Sequence, residues 1–133
     1  MNIDQLKEKA KKDLAIDTSN LDVCSVRIPY VSGEWMNFLN DEIISLKKLE
    51  FDYDKQFRLK WKFYKTEFNM VLKDKNEVMI FINGDEDIIE LKMKIVKKKE
   101  KVKFIESTIN TLNQMSFNIS NAIKFLMFKS GTL

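Results

Sequence analysis

A long heptad pattern in the last third of the chain is the strongest structural signal in this sequence. Between residues 88 and 126, twelve positions alternate steps of three and four residues. Two of these positions are polar, Lys98 and Ser116. The other ten are apolar: Ile88, Leu91, Ile95, Val102, Ile105, Ile109, Leu112, Ile119, Ile123 and Leu126. A helix with so narrow an apolar stripe buries it only against another helix, from the same or another subunit. We therefore predict a long helix that begins at Asp85-Glu86-Asp87 and takes part in oligomerisation.

The predicted oligomerisation contacts are the first seven apolar positions of this heptad pattern: Ile88, Leu91, Ile95, Val102, Ile105, Ile109 and Leu112. The segment 115–121 is rich in Ser and Asn, which favour caps and turns over helix interiors. We therefore predict a break there, followed by a short terminal helix that ends near Phe128.

Composition narrows both the fold and the function. Of the 133 residues 44% are hydrophobic, which is enough for one core, and we predict a single domain over 1–133. Three glycines and one proline leave few sites for tight turns and favour helices. The chain has no histidine and a single cysteine, Cys24, which excludes imidazole bases, histidine metal sites and intramolecular disulfides. We expect no enzyme activity, no cofactor and no metal.

The earlier part of the chain predicts two helices and a hairpin. Ile3, Leu6, Ala10 and Leu14 share one face of a helix over 2–14. The segment 17–20 offers N-caps for a second, long helix, in which Pro29 predicts a kink or a restart. Two β-rich runs, 68–72 and 78–82, flank a polar stretch and predict a small β-hairpin. The fold class is therefore mainly α, with a short N-terminal helix, a long kinked helix, the hairpin and the heptad-patterned helix.

The segment 55–65, KQFRLKWKFYK, combines five basic residues with four aromatic ones and contains no acidic residue. Phosphates attract Lys and Arg, and unstacked bases stack on aromatic rings, so this pattern is typical of a single-stranded nucleic-acid site. As a helix, the segment has a basic stripe within roughly 80° of arc, formed by Lys55, Arg58, Lys62 and Lys65. A neighbouring aromatic stripe is formed by Phe57, Trp61, Tyr64 and Phe68. As a strand, it has Arg58, Lys60 and Lys62 on one face. The alternative is that the aromatic rings belong to the core and the lysines are solvated.

Other charged and reactive groups have simpler interpretations. The segment 92–103 holds seven lysines and no aromatic residue before Phe104, and we interpret it as the solvated face of the last helix. The alternative is that these lysines widen a positive surface that attracts a polyanion such as DNA. The acidic residues at 85, 86, 87 and 90 are interpreted as helix caps rather than a metal site. Cys24 is interpreted as a small buried apolar residue. No apolar run approaches the length of a membrane span, so we expect a protein that stays inside the cell and binds no membrane.

The sequence resembles the UvsY-type recombination mediators of T-even-like phages over nearly its whole length. The resemblance rests on four segments: LKEKAKKDLAIDTSNL, SGEWMNFLNDEIISLKKLE, FRLKWKFY and NEVMIFINGDEDIIELKMKI. It implies a non-catalytic protein of the host cell cytoplasm that binds single-stranded DNA. It also implies a ring-like homo-oligomer of about six or seven copies, which helps a RecA-like phage recombinase to replace the phage single-strand-binding protein.

The resemblance places Arg58 and Lys60 at the basic positions where the family contacts DNA. The full predicted DNA-binding set is Lys55, Arg58, Lys60, Lys62 and Lys65, with Trp61 and Tyr64 as stacking partners. A helical adaptor that binds only proteins is the second hypothesis. A small nuclease is the third, and it would need a carboxylate cluster at a metal site.

Overall fold

The computed structural model describes residues 1–72 and 74–131. Within them the chain forms four α-helices, α1 (Ile3–Asp13), α2 (Leu21–Lys62), α3 (Lys75–Asn83) and α4 (Glu86–Lys129), and a π-helical turn over Phe63–Glu67. The described part contains no β-strand, and the prediction of a mainly α fold is confirmed. None of its helices is long and apolar enough to cross a membrane. Internal contacts divide the chain into a first unit, Met1–Asp41 with Lys101–Leu133, and a second unit, Glu42–Glu100.

The first unit is organised around Trp35, which has no exposed surface. Its core combines residues of α1, α2 and α4: Leu6, Ala10, Cys24, Ile28, Val31, Trp35, Ile105, Leu112, Met115 and Ile119. The Trp35 indole donates a hydrogen bond to Oδ2 of Asp13 over 2.9 Å, and the Lys9 ammonium lies 2.8 Å from the same oxygen. Because the indole and the ammonium both reach this carboxylate, its charge is compensated inside the unit.

Side-chain hydrogen bonds organise the start of the chain. Asn2 and Gln5 form a reciprocal capping box at the beginning of α1. Asp17 accepts hydrogen bonds from the Ser19 backbone amide and from the Ser19 hydroxyl, and the turn that results leads into α2. Cys24 is buried in the first core, as its apolar interpretation predicts.

Pro29 lies inside α2, which continues from Leu21 to Lys62 without the restart that was one of the two predicted outcomes. A proline in a helix interior removes one hydrogen bond, at about 3 kcal/mol in an isolated helix. Here Cys24, Ile28, Val31 and Trp35 are buried on the same helix on both sides of the proline. Burial of these side chains stabilises the helical path by more than the proline disfavours it.

The second unit has a separate core made of four buried side chains, Leu72, Val78, Ile82 and Ile88. Around them pack six partly buried aromatic residues from α2, the π-helical turn and α3: Tyr53, Phe57, Trp61, Tyr64, Phe68 and Phe81. Ring contacts join the six in two groups, Tyr53, Phe57 and Trp61 in one and Tyr64, Phe68 and Phe81 in the other. The rings of Tyr64 and Phe68 are 5.0 Å apart between centroids. This aromatic cluster fixes the end of α2 relative to α3 and to the first turn of α4.

The predicted β-hairpin is wrong, because residues 78–82 lie in α3. Asp74 caps this helix by accepting a hydrogen bond from the Glu77 backbone amide over 2.9 Å. Val78 and Ile82, four residues apart, then point to the same side and are both fully buried. Tertiary burial of that pair overrides the β propensity of the run, and Lys73 of the predicted turn lies outside the described residues.

The heptad-patterned helix is confirmed as α4, although the predicted break at 115–121 does not occur. Met115 and Ile119 are buried in the first core, and this burial outweighs the weak helix propensity of Ser and Asn. The predicted oligomerisation positions have partners within the chain: Ile88 is buried in the second unit, and Val102, Ile105 and Leu112 are buried in the first. Leu91, Ile95 and Ile109 are partly buried. Their part in an oligomer stays a prediction.

Candidate nucleic-acid interface

The basic and aromatic segment is helical, so the first of its two interpretations holds. Residues 55–62 form the last turns of α2, and the π-helical turn continues to Glu67. Phe57, Trp61 and Tyr64 face the second core. The helical period therefore sends these aromatic rings inward, as the alternative interpretation of the segment predicted, and turns a separate set of cations toward solvent.

The π-helical turn has no counterpart in the sequence-based prediction. Its backbone closes through a hydrogen bond from the Phe68 amide to the Phe63 carbonyl oxygen, 2.9 Å long, and the Thr66 hydroxyl donates to the Lys62 carbonyl oxygen over 2.7 Å. The wider turn places Tyr64 and Phe68 together against Phe81. The packing of these three aromatic rings stabilises the turn. Because this packing is a tertiary contact, no local sequence pattern predicts the turn.

Four cations form an exposed stripe next to the aromatic side of the segment, which we call the outer basic stripe: Lys55, Arg58, Lys62 and Lys65. None of the four forms an ion pair with a carboxylate of the described chain. Their charges are consequently available to an external polyanion. Among the predicted DNA-binding residues, these four are the cations that the fold leaves in solvent.

Lys60 has a different environment, in spite of its place in the same segment. Its ammonium lies 2.8 Å from Oδ2 of Asp87 and 3.2 Å from Oδ2 of Asp85, at the start of α4. The hydrogen bond to Asp87 raises the pKa of Lys60, the bond to Asp85 adds to this effect, and burial opposes it. A phosphate reaches this ammonium only in competition with two carboxylates.

Asp85 joins Lys60 to Tyr64 and to the first turn of α4. It accepts a 2.7 Å hydrogen bond from the Tyr64 hydroxyl, and its other oxygen accepts from the Asp87 backbone amide over 2.9 Å. Burial by itself raises the pKa of Asp85, but the bonds from Tyr64, Lys60 and the backbone amides together lower it below its ordinary value. Tyr64, Lys60, Asp85 and Asp87 form what we call the Lys60 cluster.

The predicted stacking partners, Trp61 and Tyr64, are both partly buried. The Trp61 ring stacks on Phe57, with 6.4 Å between centroids, and the Tyr64 hydroxyl is engaged by Asp85. The bond to Asp85 and burial raise the pKa of Tyr64. Sequence reasoning missed Asp85 and Asp87 as partners of this segment, since it treated them only as helix caps. Asp85 is indeed a cap, and it also organises the site.

The lysine run 92–103 is largely solvated, in keeping with its interpretation as an exposed face. Lys92 donates to the Asn83 side chain over 3.3 Å, and Lys94 lies 3.5 Å from Glu90. Lys98, an exception in the heptad pattern, pairs with Glu42 of α2 at 2.7 Å. Lys98 is therefore a bridge between helices rather than a gap in the apolar stripe.

No group of three or more metal-ligating side chains occurs within residues 1–72 and 74–131. Asp85 instead accepts hydrogen bonds at the start of α4, in agreement with the interpretation of the acidic segment as a cap.

Comparison with known proteins adds a family and a fold. The family model described as recombination, repair and ssDNA binding protein UvsY matches residues 9–132. The fold is similar to crystal structures of the recombination mediator protein UvsY of bacteriophage T4. In lattice type IV the TM-score is 0.87 at 16% identity, covering 97% of this chain and 99% of that chain. In lattice type II the TM-score is 0.85 at 16% identity, covering 98% of each chain. No curated protein sequence matches significantly.

Proposed function

Because the chain belongs to the UvsY family of recombination, repair and ssDNA-binding proteins, we propose that it is a non-catalytic recombination mediator. It binds single-stranded DNA and promotes loading of a RecA-like recombinase in place of a single-strand-binding protein. The fold supports this proposal through its likeness to the T4 mediator, over nearly all of both chains. The DNA-binding step has its own support in the second unit.

The observation that carries the DNA-binding proposal is the outer basic stripe. Four cations are exposed along one helical segment, while the neighbouring aromatic side of that segment packs in the second core: Lys55, Arg58, Lys62 and Lys65. Because the helix already fixes the backbone of these residues, phosphate binding has to order only their side chains. We assign Lys60 to the Lys60 cluster, as a positioning residue, because its ammonium is held by Asp85 and Asp87.

Four cations per chain make a modest site, and a homo-oligomer would multiply it. Once one copy of the stripe has bound a strand, the next copy binds at a high effective concentration, so that the whole assembly binds far more tightly than one subunit. The mediator step then needs no nucleotide hydrolysis. The assembly holds the strand in a geometry that favours binding by the recombinase over binding by the single-strand-binding protein. It thereby shifts the competition between these two proteins for the strand.

Exposed apolar side chains support the proposed oligomer. Near the end of α4, in the first unit, Phe117, Phe125, Leu126 and Phe128 are all exposed. Clusters of exposed apolar side chains mark protein interaction sites more often than free surface. We propose that subunits associate through this end of α4, because Ile88, Val102, Ile105 and Leu112 of the heptad pattern are already buried. Native mass measurement of Phe125→Glu should then show smaller assemblies than those of the wild type.

Salt dependence tests the DNA-binding proposal. A fluorescent oligo-dT is titrated with wild type and with Arg58→Ala/Lys62→Ala at several salt concentrations. Each lost phosphate contact should flatten the log-log salt dependence by roughly 0.7 on single strands, so that the double variant should lose at least about 1.4. Lys97→Ala/Lys99→Ala removes the same charge from the solvated face of α4 and serves as the matched control, with an unchanged slope.

An unchanged slope in Arg58→Ala/Lys62→Ala would remove the outer basic stripe from the DNA site. No binding of oligo-dT by the wild type at moderate salt would instead favour the adaptor hypothesis. The mediator step needs its own assay, in which recombinase filaments form on oligo-dT already covered by single-strand-binding protein. The proposal predicts that wild type speeds filament formation and that Arg58→Ala/Lys62→Ala does so less.

A further inference from the structure

One aromatic ring within residues 42–62, the part of α2 that belongs to the second unit, is exposed to solvent. Phe51 is 68% exposed, and no ring contact connects it to the aromatic cluster of the second core. Burying a phenylalanine side chain contributes about 1.5–3 kcal/mol, and this chain forgoes that contribution at Phe51. The ring differs in this respect from Trp61 and Tyr64, whose rings are partly used in packing.

The neighbours of Phe51 on the helix are mostly cationic. One turn before it lie Lys47 and Lys48, and one turn after it lie Asp54 and Lys55, all exposed. Arg58 and Lys62 follow on the same side, and Lys62 is about 16 Å along the helix axis from Phe51. The ring therefore continues the outer basic stripe toward the start of the second unit.

The pattern of this side of α2 distinguishes between a protein and a nucleic acid as its ligand. Within residues 44–62 of α2, the exposed apolar residues are Ile44, Phe51 and Leu59, seven and eight residues apart. A helix that packs into such a face needs an apolar residue every three or four positions. The exposed positions one turn before and one turn after Phe51 hold three lysines and Asp54 instead. An isolated ring between cations suits a ligand that offers a π-face and a phosphate in each repeat, which is a single-stranded nucleic acid.

We propose that Phe51 is a base-stacking residue of the single-stranded DNA site, with Lys48 and Lys55 on either side of it contacting phosphates. This proposal rests on the function proposed above and adds a contact that neither the family description nor the outer basic stripe includes. One base stacks on the exposed ring, and the backbone continues past Lys55 toward Arg58 and Lys62.

The test compares Phe51→Leu and Phe51→Trp with the wild type on a short oligo-dT. Leucine keeps the apolar character and removes the π-face, so the affinity should fall by about 5- to 150-fold for each stacked base, which corresponds to about 1–3 kcal/mol. The salt slope should not change, because no charge is altered. Tryptophan should retain the affinity, and its fluorescence should be quenched by oligo-dT beyond the quenching seen in the wild type.

Tyr30→Leu is the matched control, since Tyr30 is 73% exposed on the same helix but lies in the first unit. It should bind oligo-dT like the wild type. Wild-type affinity in Phe51→Leu, or an affinity of Phe51→Trp as low as that of Phe51→Leu, would overturn the stacking proposal. If the wild type itself fails to bind oligo-dT, the proposed function fails first; if it binds with the expected salt slope, only the role of Phe51 is in question.

Discussion

Replacing Asp85 with alanine tests whether the Lys60 cluster holds the second unit together. The substitution removes a helix cap, typically about 1 kcal/mol, and the acceptor of the Tyr64 hydroxyl. A hydrogen bond to a charged group contributes about 1.5 kcal/mol at the low end of its range, which suits a partly buried bond of 2.7 Å. Lys60 keeps Asp87, so the lost ion pair adds only a fraction of 1 kcal/mol. We expect the free energy of unfolding to fall by about 3 kcal/mol.

Urea unfolding followed by circular dichroism measures this change, at one fixed protein concentration because oligomerisation contributes to apparent stability. Asp87→Ala is the matched control. Asp87 is the other carboxylate of Lys60, and its side chain is mostly exposed, so its loss should lower the free energy of unfolding by less than about 1 kcal/mol. Tyr64→Phe in the Asp85→Ala background should have a smaller effect than in the wild type. Equal effects of Asp85→Ala and Asp87→Ala would refute the assignment of Asp85 as the centre of the cluster.

Three further predictions concern stability. Trp35→Phe removes the donor to Asp13 and leaves space in the first core, and we expect urea unfolding to report a loss of about 3 kcal/mol; a loss below about 1 kcal/mol would contradict the importance of this bond. Lys98→Ala breaks the partly buried ion pair with Glu42. It should lower the thermal midpoint of unfolding by several degrees, which corresponds to about 1–2 kcal/mol. An unchanged midpoint would contradict a stabilising role of this pair. Because folding lowers the pKa of Asp85, its stabilising contribution is present above the unfolded value of about 3.9 and is lost as pH falls through the folded value. Asp85→Asn should therefore lose less stability than the wild type in acid, and parallel pH profiles would contradict this.

The helices that the sequence predicts best are those with a periodic apolar face. α1 begins at a capping box and buries Leu6 and Ala10 four residues apart, so local and tertiary preferences agree. The heptad pattern predicts α4 over almost its full length. In each case the same residues specify the helix and its buried face, and no long-range contact is needed to make the prediction.

α3 was mispredicted because β propensity was given more weight than helix capping. The run VMIFI is β-rich, yet Asp74 and Glu77 stand where a helix N-cap and its third residue belong. That signal was present in the sequence, as was the spacing of four between Val78 and Ile82. The absence of a break near Met115 has another cause, since only the tertiary core shows that this side chain is buried.

The candidate site was predictable in outline and not in detail. Helical periodicity separates Lys55 and Arg58 from the aromatic residues, and it already places Lys60 about 140° from Lys55 around the helix. The partners of Lys60 are remote in sequence. Asp85 and Asp87 come close to it only because α4 packs against the end of α2. Pairings of this kind between remote segments depend on tertiary structure, which periodicity alone does not supply.

Photocrosslinking tests the central claim, that single-stranded DNA lies along the outer side of α2 in the second unit. An oligonucleotide containing 5-bromodeoxyuridine is bound to the wild-type protein and irradiated, and the crosslinked peptides are identified by mass spectrometry. We predict crosslinks within residues 48–65, with Phe51 among them. Crosslinks confined to residues 92–103, or to the first unit, would contradict the account.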